Sequence, residues 1–168
     1  MSSLIAKSII PIGDLPVSAT DVKAELRIDY PLTDAQIESY IRSSESKLQE
    51  LTALVFSRAN VKTVYKQYGC GDQITLGYFN GVDTTQPITG MPDDGELDGA
   101  GEQWYLNTNQ GKVTLEYEAG YDVLPDWARQ AIILDVAWRL EHYGDDTASQ
   151  ISPEALNLIQ PFKAFIPL

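Results

Sequence analysis

The chain has 168 residues, 43% of them hydrophobic and 21% charged, which is ordinary for one globular domain that buries its own core. Its formal net charge of −12 repels phosphate and argues against conventional nucleic-acid binding. A single cysteine, Cys70, excludes an internal disulfide framework and a multi-cysteine metal site. Lys7 interrupts the short apolar run at the N-terminus, and no segment reaches the roughly 20 apolar residues of a membrane span. We therefore expect a soluble protein made in the cytoplasm.

The acidic charge is unevenly distributed along the chain. Residues 1–66 carry eight acids and eight bases, so their charges balance. Residues 67–120 carry nine acids and one base, a net of −8, and residues 121–168 carry the remaining −4. This distribution leaves open a protein that lies beside DNA and must not hold it.

Two helices are predicted in the first third of the chain. Ser18 followed by Asp21 resembles a capping box and opens a short helix that runs to about Ile28. Thr33 with Gln36 forms a better capping box and opens a long helix over residues 34–55. One apolar stripe on the long helix is predicted to be buried and comprises Ile37, Tyr40, Ile41, Ser44, Leu48, Leu51 and Val55. The opposite face is predicted to be solvated and carries Glu38, Arg42, Glu45 and Lys47.

The middle of the chain has the alternating pattern of β-strands. Residues 61–68 and 73–79 each read as a strand, because they alternate and are rich in β-branched and aromatic residues. Residues 80–101 are rich in Gly, Pro, Asp and Thr and are predicted to be a mobile loop. Residues 102–107 and 112–118 are predicted to pair as a hairpin across "TNQG".

The apolar period then changes from that of a strand to that of a helix. Gly120 permits a backbone turn, and Pro125 fits the first position of a helix that ends at Gly144. A second short helix begins at Ser152, and residues 161–168 form an apolar tail predicted to be extended. The stripe expected to face the core or a subunit contact comprises Trp127, Ala131, Leu134 and Trp138, with Ile132, Val136 and Leu140 beside it.

These elements together predict a mainly α fold with a β-insertion. The prediction is a single domain over residues 1–168, built as an α-helical bundle of two long and two short helices. A small antiparallel sheet is inserted at about residues 61–119, and the tail at residues 161–168 extends from the bundle.

No segment carries a recognisable catalytic or metal-binding motif. An EF-hand beginning at Asp94 has glycine correctly at its sixth position, but Tyr105 stands where a bidentate Glu is required. His142, the only histidine, lies near Asp145 and Asp146, yet no nucleophile elbow accompanies it. It is better interpreted as a cation in the last turn of a helix. We expect no enzymatic activity, no metal and no cofactor, and a weak cation site in the acidic loop is the alternative that stays open.

The order of the motifs resembles the head–tail connector family of tailed bacteriophages, also called neck adaptor or head completion proteins. The resemblance lies in "PVSATDVKAELRID", in the helix "LTDAQIESYIRSSESKLQELTAL" and in "VTLEYEAGYDVLPDWARQAIILDVAWRLEHYG". The end of the chain, "SPEALNLIQPFKAF", is also similar to the family's closing helix and its basic, aromatic segment, with Lys163 where the family often has arginine. The positions that match are Lys23, Leu26, Arg27, Asp29, Tyr117, Ala119, Gly120, Tyr121, Pro125 and Ala131.

The resemblance implies a structural virion protein located in the neck, at the head–tail interface. Members of the family form a ring, usually dodecameric, that docks on the portal protein and extends the DNA channel. The ring gives the stopper or tail-completion protein an attachment surface, and double-stranded DNA passes it without specific binding. The predicted portal-binding residues lie in the tail and are Phe162, Lys163, Phe165, Ile166 and Leu168.

The acidic loop is predicted to contact a neighbouring subunit or the next ring through Asp93, Asp94, Glu96 and Asp98. Two other functions remain open at this point. One is a hydrolase that uses His142. The other is an acidic DNA-mimicking inhibitor, or another non-catalytic interaction protein, whose surface occupies a basic partner.

Overall fold

A computed structural model describes residues 2–28, 31–68, 73–100, 103–143 and 150–162. These residues form α1 Ala19–Leu26, α2 Asp34–Thr52, α3 Asp126–Glu141, α4 Pro153–Ile159, β1 Ser2–Pro11, β2 Ala59–Gln67, β3 Gln73–Leu76, β4 Glu96–Ala100, β5 Gln103–Asn107 and β6 Lys112–Ala119. A short 3-10 helix, Gln160–Phe162, follows α4. The chain divides into two compact units. The sheet unit contains residues 2–13 and 53–122, and the helical unit contains residues 14–52 and 123–162.

The prediction of a mainly α bundle with a small sheet is wrong. Within the described residues the chain is about 36% helix and 28% strand, with four α-helices and two three-stranded antiparallel sheets. The fold is therefore a mixed α and β fold. The error has two sources: no strand was predicted over the residues of β1, and β4 lies inside the segment predicted to be a loop over residues 80–101.

The sheet unit is built from two antiparallel sheets with the strand orders β1-β2-β6 and β3-β5-β4. The predicted hairpin over residues 102–107 and 112–118 is also wrong, because β5 pairs with β3 and β4 while β6 pairs with β2. Alternation identified the strands correctly, but it carries no information about which strands pair. The pairing instead places the apolar faces of β2 and β6 on the same side, with Val61 opposite Tyr117 and Tyr65 opposite Val113.

Two buried tyrosines, Tyr65 and Tyr117, place their hydroxyls within hydrogen-bond distance of other groups in the sheet unit. The Tyr65 hydroxyl donates to the Gly77 carbonyl at 3.0 Å and accepts from the Gly77 N–H at 3.1 Å. The Tyr117 hydroxyl lies 3.3 Å from the Thr63 hydroxyl, and both side chains are buried. Burial raises the pKa of Tyr65 to about 12 and raises that of Tyr117 well above its usual value. The core that surrounds them includes Val55, Ala59, Val61, Ile74, Leu76, Phe79, Leu106, Val113, Leu115 and Ala119.

The helical unit confirms the predicted caps of the first two helices. The Ser18 hydroxyl accepts from the Asp21 N–H at 3.0 Å, and Thr33 and Gln36 bond reciprocally before α2. On α2, Ile37, Ile41, Ser44 and Leu48 are buried as predicted, whereas Leu51 is exposed and Val55 lies beyond the end of the helix. The prediction that Glu45 is solvated is wrong, because only 7% of this residue is exposed.

A buried charged group joins three helices of this unit. The Asp135 carboxylate on α3 accepts from the Ser44 hydroxyl of α2 at 2.6 Å and from Arg139 Nε at 2.8 Å. Its other oxygen accepts from the N–H of Ser152, which is the N-cap of α4, at 2.9 Å. The sequence had offered no reason to bury an ion pair here. The buried face of α3 accordingly differs from the predicted stripe and comprises Ala128, Ala131, Ile132, Ile133, Asp135, Val136 and Arg139.

The turn after β6 requires glycine for two reasons. Gly120 has φ +111°, a conformation that L side chains rarely adopt, and a Cβ there would lie 2.4 Å from the Ser57 carbonyl oxygen. Its N–H also donates to the Asn80 carbonyl at 2.9 Å, which ties the turn to the sheet unit. Pro125 is the N-cap of α3 and not its first residue, one position away from the prediction.

Candidate interaction surfaces

Phe162 is the one predicted portal-binding residue that the structure describes. Its ring stacks on the Trp127 ring, with centroids 4.0 Å apart and planes 7° apart. Pro161 and Phe162 lie in the 3-10 helix, so the first two residues of the predicted extended tail are turned back onto the helical unit. Lys163, Phe165, Ile166 and Leu168 lie outside the described residues.

Asp94 forms hydrogen bonds with the segment that follows β5 in the sheet unit. Its carboxylate accepts from the Thr108 hydroxyl at 2.7 Å and from the Asn109 N–H at 2.8 Å. The Asn109 N–H, followed by the Thr108 hydroxyl, lowers the pKa of Asp94, because both stabilise the charged form. Asp93 and Asp94 are both exposed, and Asp94 has hydrogen-bond partners within the sheet unit.

Glu96 and Asp98 lie on an edge strand and not in a loop. Both are exposed on β4, and Leu97 between them packs against the core of the sheet unit. β4 pairs with β5 on one side, and no other described strand pairs with it. The two carboxylates thus stand on one face of an edge whose backbone groups are open to pairing.

Thr89 and Gly90, which also lie in the predicted loop, cover the outer edge of β6. Thr89 forms a two-way bridge with Glu116 of β6, with N–H to carbonyl distances of 3.2 and 2.9 Å. Gly90 beside it approaches so closely that a Cβ would lie 2.0 Å from the Thr114 carbonyl oxygen. This segment therefore shields the outer edge of β6 from further pairing.

The sequence analysis did not predict β1 as a strand, and the outer edge of β1 carries exposed apolar side chains. Ile5 and Ile10 on β1 are 48% and 61% exposed, and Ile12 just beyond it is 48% exposed. Two β-branched residues in succession, "II", were the available signal, but the run lacks the strict apolar–polar alternation that indicates a half-buried strand. A groove of about 470 Å³ crosses the β1-β2-β6 sheet and is lined by Ser8, Ile10, Asn60, Val61, Lys62, Pro87, Thr89, Glu116, Tyr117 and Glu118.

His142 packs against Trp138, which lies one helical turn before it. Its ring stacks on the Trp138 ring at 3.8 Å, and its Nδ1 lies 2.9 Å from the Trp138 carbonyl oxygen. Asp145, Asp146 and Gly144 lie outside the described residues, as does Cys70. In the part of the chain that the structure describes, no three His, Cys, Asp or Glu side chains meet as a metal site requires. The helices of that part include none that is both long and apolar enough to cross a bilayer.

Comparison with known proteins identifies the fold. No family model matches the chain, and no curated protein matches it by sequence. A chain from the neck of an empty gene transfer agent (GTA) particle, computed with C6 symmetry, matches with a TM-score of 0.70 and 17% identity over 96% of this chain and 97% of that chain. A chain from the virion of the native GTA particle matches with a TM-score of 0.70, 17% identity and coverages of 95% and 97%. A chain from the neck of the native particle, computed with C12 symmetry, matches with a TM-score of 0.62, 19% identity and coverages of 96% and 97%.

These identities are too low to establish more than the fold. The neck of those particles agrees with the location predicted for this chain, the head–tail interface.

Proposed function

We propose that this chain is a structural protein of the neck of a phage-like particle. The observation that carries the proposal is the extent of the likeness to a GTA neck chain, which covers 96% of one chain and 97% of the other. Such coverage spans residues of both the sheet unit and the helical unit, so it is more than one motif that many folds share. The ordered motifs of the sequence resemble the head–tail connector family, and this resemblance supports the same role independently of the coordinates.

The finer proposal is a ring-forming adaptor. In this role the ring docks on the portal protein, extends the DNA channel and presents an attachment surface to the stopper or tail-completion protein. The C6 and C12 symmetries of the GTA necks support a closed ring, and we propose a dodecamer in the particle. The net charge of −12 suits a channel wall that lets double-stranded DNA pass without binding it.

We place the portal contact in the C-terminal residues that follow the stacked Phe162. The Trp127–Phe162 stack anchors the start of this segment on the helical unit. We propose that Lys163, Phe165, Ile166 and Leu168 bind in a portal pocket, where each buried large apolar side chain contributes roughly 1.5–3 kcal/mol. In this proposal Phe162 contributes to portal binding by holding the start of the segment against Trp127.

Truncation after Phe162 tests this assignment. We expect the chain that ends at residue 162 to lose binding to the portal protein encoded with it, while its melting temperature stays within about 2 °C of the full chain, because no described contact is removed. The matched variant is Phe162→Ala in the full chain. It removes the stack on Trp127, so it should lower the melting temperature measurably.

Electron micrographs of the full chain mixed with that portal protein test the adaptor role itself. Rings attached to the portal are the expected result. A full chain that binds no portal, and instead binds a basic DNA-binding protein in competition with DNA, would replace the adaptor by the DNA-mimicking inhibitor. Portal binding retained after truncation would move the docking site to another surface, most directly to α3.

A further inference from the structure

The four sheet edges of the sheet unit are not equally protected. The outer edge of β6 is bridged by Thr89. β3 is only four residues long, and the Ser2 hydroxyl of β1 lies 3.4 Å from the Gln73 carbonyl oxygen at its start. Within the described residues this leaves β1 and β4 as edges that pair on one side only. Proteins commonly protect such edges, since an unpaired row of N–H and C=O groups is a template for another strand.

The edge of β1 has a regular segment suited to pairing. A register shift between Leu4 and Ala6 interrupts the strand near its start, but pairing with β2 is continuous from Ala6 to Pro11. Ile5, at the register shift, and Ile10, within the segment, are 48% and 61% exposed. Such large apolar side chains on an edge favour association with a further strand.

The two open edges carry opposite charge. The bases of β1 and β2 are Lys7, Lys62 and Lys66, and neither strand contains an acid. β4 carries Glu96 and Asp98 and no base. Lys62 is paired with Glu116 of β6 and Lys7 donates to the Tyr78 hydroxyl, so part of this positive charge already has a partner within the subunit. The edge strand β1 itself carries one base, Lys7, and no acid, whereas β4 is an acidic edge. Opposite charges on facing strands stabilise pairing, whereas like charges oppose β4–β4 contacts between copies.

We propose that β1 of one copy pairs edge to edge with β4 of the next copy, so that this contact joins neighbouring subunits. The occupant of each open edge is therefore a second copy of this chain. Because the two edges are different surfaces, the contact is head to tail, which is the type of contact that closes into a ring. The inference rests on the proposed ring-forming function and names the strands that would build the ring.

Substitutions at Ser8 separate this contact from effects on folding. Ser8 is exposed on β1 and faces Lys62 across the β1–β2 pair. Ser8→Glu adds a second acidic neighbour to Lys62, which already pairs with Glu116, so the melting temperature should change little, yet it places an acid at the edge that meets β4. Ser8→Lys places a second base opposite Lys62 and adds a base at the edge that meets β4. We expect Ser8→Glu to weaken self-association about three- to tenfold, and Ser8→Lys to leave it unchanged or strengthen it.

Charge reversal on the other edge should rescue the defect. Combining Ser8→Glu with Glu96→Lys and Asp98→Lys restores opposite charges at the proposed contact and should recover association. If the two Ser8 variants associate equally well, or if association follows their melting temperatures, the inference is wrong. Sedimentation measures association, and the thermal melt of each variant shows that it is folded.

Disulfide trapping tests the identity of the two strands. In a Cys70→Ser background, which removes the only natural cysteine, Ser8→Cys is combined with Glu96→Cys or with Asp98→Cys. The test uses the full chain at high concentration, and again in the presence of the portal protein encoded with it. A ladder of dimers, trimers and larger species from at least one pair is the expected result, because head-to-tail contacts propagate.

Three outcomes would contradict the inference. Dimers from Ser8→Cys alone would indicate β1–β1 pairing, and a ladder seen only after truncation at Phe162 would show that the chain's own C-terminal residues occupy the edge. The absence of a ladder in both samples also overturns it. If micrographs show rings on the portal in that last case, the proposed function stands and only the strand assignment fails.

Discussion

At the scale of single residues, the group that most distinguishes this chain is the buried Asp135–Arg139 pair. Asp135 is fully buried and Arg139 is 7% exposed, and together they join α2, α3 and the start of α4. One Arg139 terminal nitrogen, Nη2, is buried without a hydrogen-bond partner in the described structure. We therefore expect burial of this ion pair to contribute more to the specificity of helix packing than to net stability.

Removing one partner of this pair should be strongly destabilising. We expect Asp135→Ala to lower the free energy of unfolding by about 3–5 kcal/mol, because Arg139 is left as an uncompensated buried charge. The exposed pair Lys23–Asp34 is the matched control, and Lys23→Ala should cost less than about 1 kcal/mol. Chemical denaturation measures both. Equal, small effects would show that Arg139 reaches solvent when its partner is lost.

The buried tyrosines predict a loss of stability in alkali. Burial raises the pKa of Tyr65 from 10.0 to about 12, so the folded protein holds this proton more tightly than the unfolded chain does. Its contribution to stability is therefore complete below about pH 10 and is lost as the pH rises towards about 12. We expect tyrosinate absorbance from Tyr65 to appear together with unfolding.

Phenylalanine variants identify the residue responsible for that behaviour. Tyr65→Phe should weaken the alkaline transition, but at neutral pH it should cost about 1–3 kcal/mol. The reason is that the Gly77 N–H loses its partner and the Gly77 carbonyl keeps only the longer contact with the Tyr117 hydroxyl, at 3.4 Å. Tyr143→Phe, at a position that is 80% exposed, should change neither quantity. Ionisation of every tyrosine near pH 10 without unfolding would contradict the burial argument.

At the scale of elements, the turn between β6 and α3 depends on one glycine. Gly120→Ala should lower the free energy of unfolding by about 1–3 kcal/mol, because it combines an unfavourable φ of +111° with a clash at the Ser57 carbonyl. Gly111→Ala is the matched control, since a Cβ there has no atom within 4 Å. Thermal denaturation of both variants checks this prediction. A harmless Gly120→Ala would mean that the turn relaxes.

The sheet edges differ in whether another part of the described chain covers them. Thr89 covers β6, and Asp94 is bound internally by Thr108 and Asn109. Hence two parts of the segment predicted as a mobile contact loop have defined positions in the sheet unit. Glu96 and Asp98 keep the proposed role in a subunit contact, but as side chains of a strand.

At the scale of the whole molecule, the net charge of −12 opposes self-association of the free protein. We expect a monomer or small oligomer at low salt, and a ring only when the portal protein provides a template. Light scattering of the purified chain with and without the portal measures this. A stable closed ring of the chain alone would overturn the requirement for a template, and a strict monomer with the portal present would remove the adaptor role.

Local features of the sequence determined the parts of the structure that depend on neighbours in the chain. Ser18 and Asp21, and Thr33 and Gln36, are three residues apart, so the caps of α1 and α2 could be predicted from spacing alone. Alternation in β2 and β6 and the buried residues Ile37, Ile41 and Leu48 of α2 followed from local period in the same way. The acidic charge and the absence of a recognisable catalytic motif are likewise properties of the sequence.

Only the tertiary structure decided which distant segments meet. The partners of β5 and β6, the pairing of residues 2–11 with β2 and the burial of Asp135 each depend on contacts far apart in sequence. Periodicity shows that a strand has a buried face, but the neighbour that covers this face is chosen by the fit of the whole unit. The burial of Asp135 has the same origin, because Ser44 and Ser152 reach it only after three helices have packed.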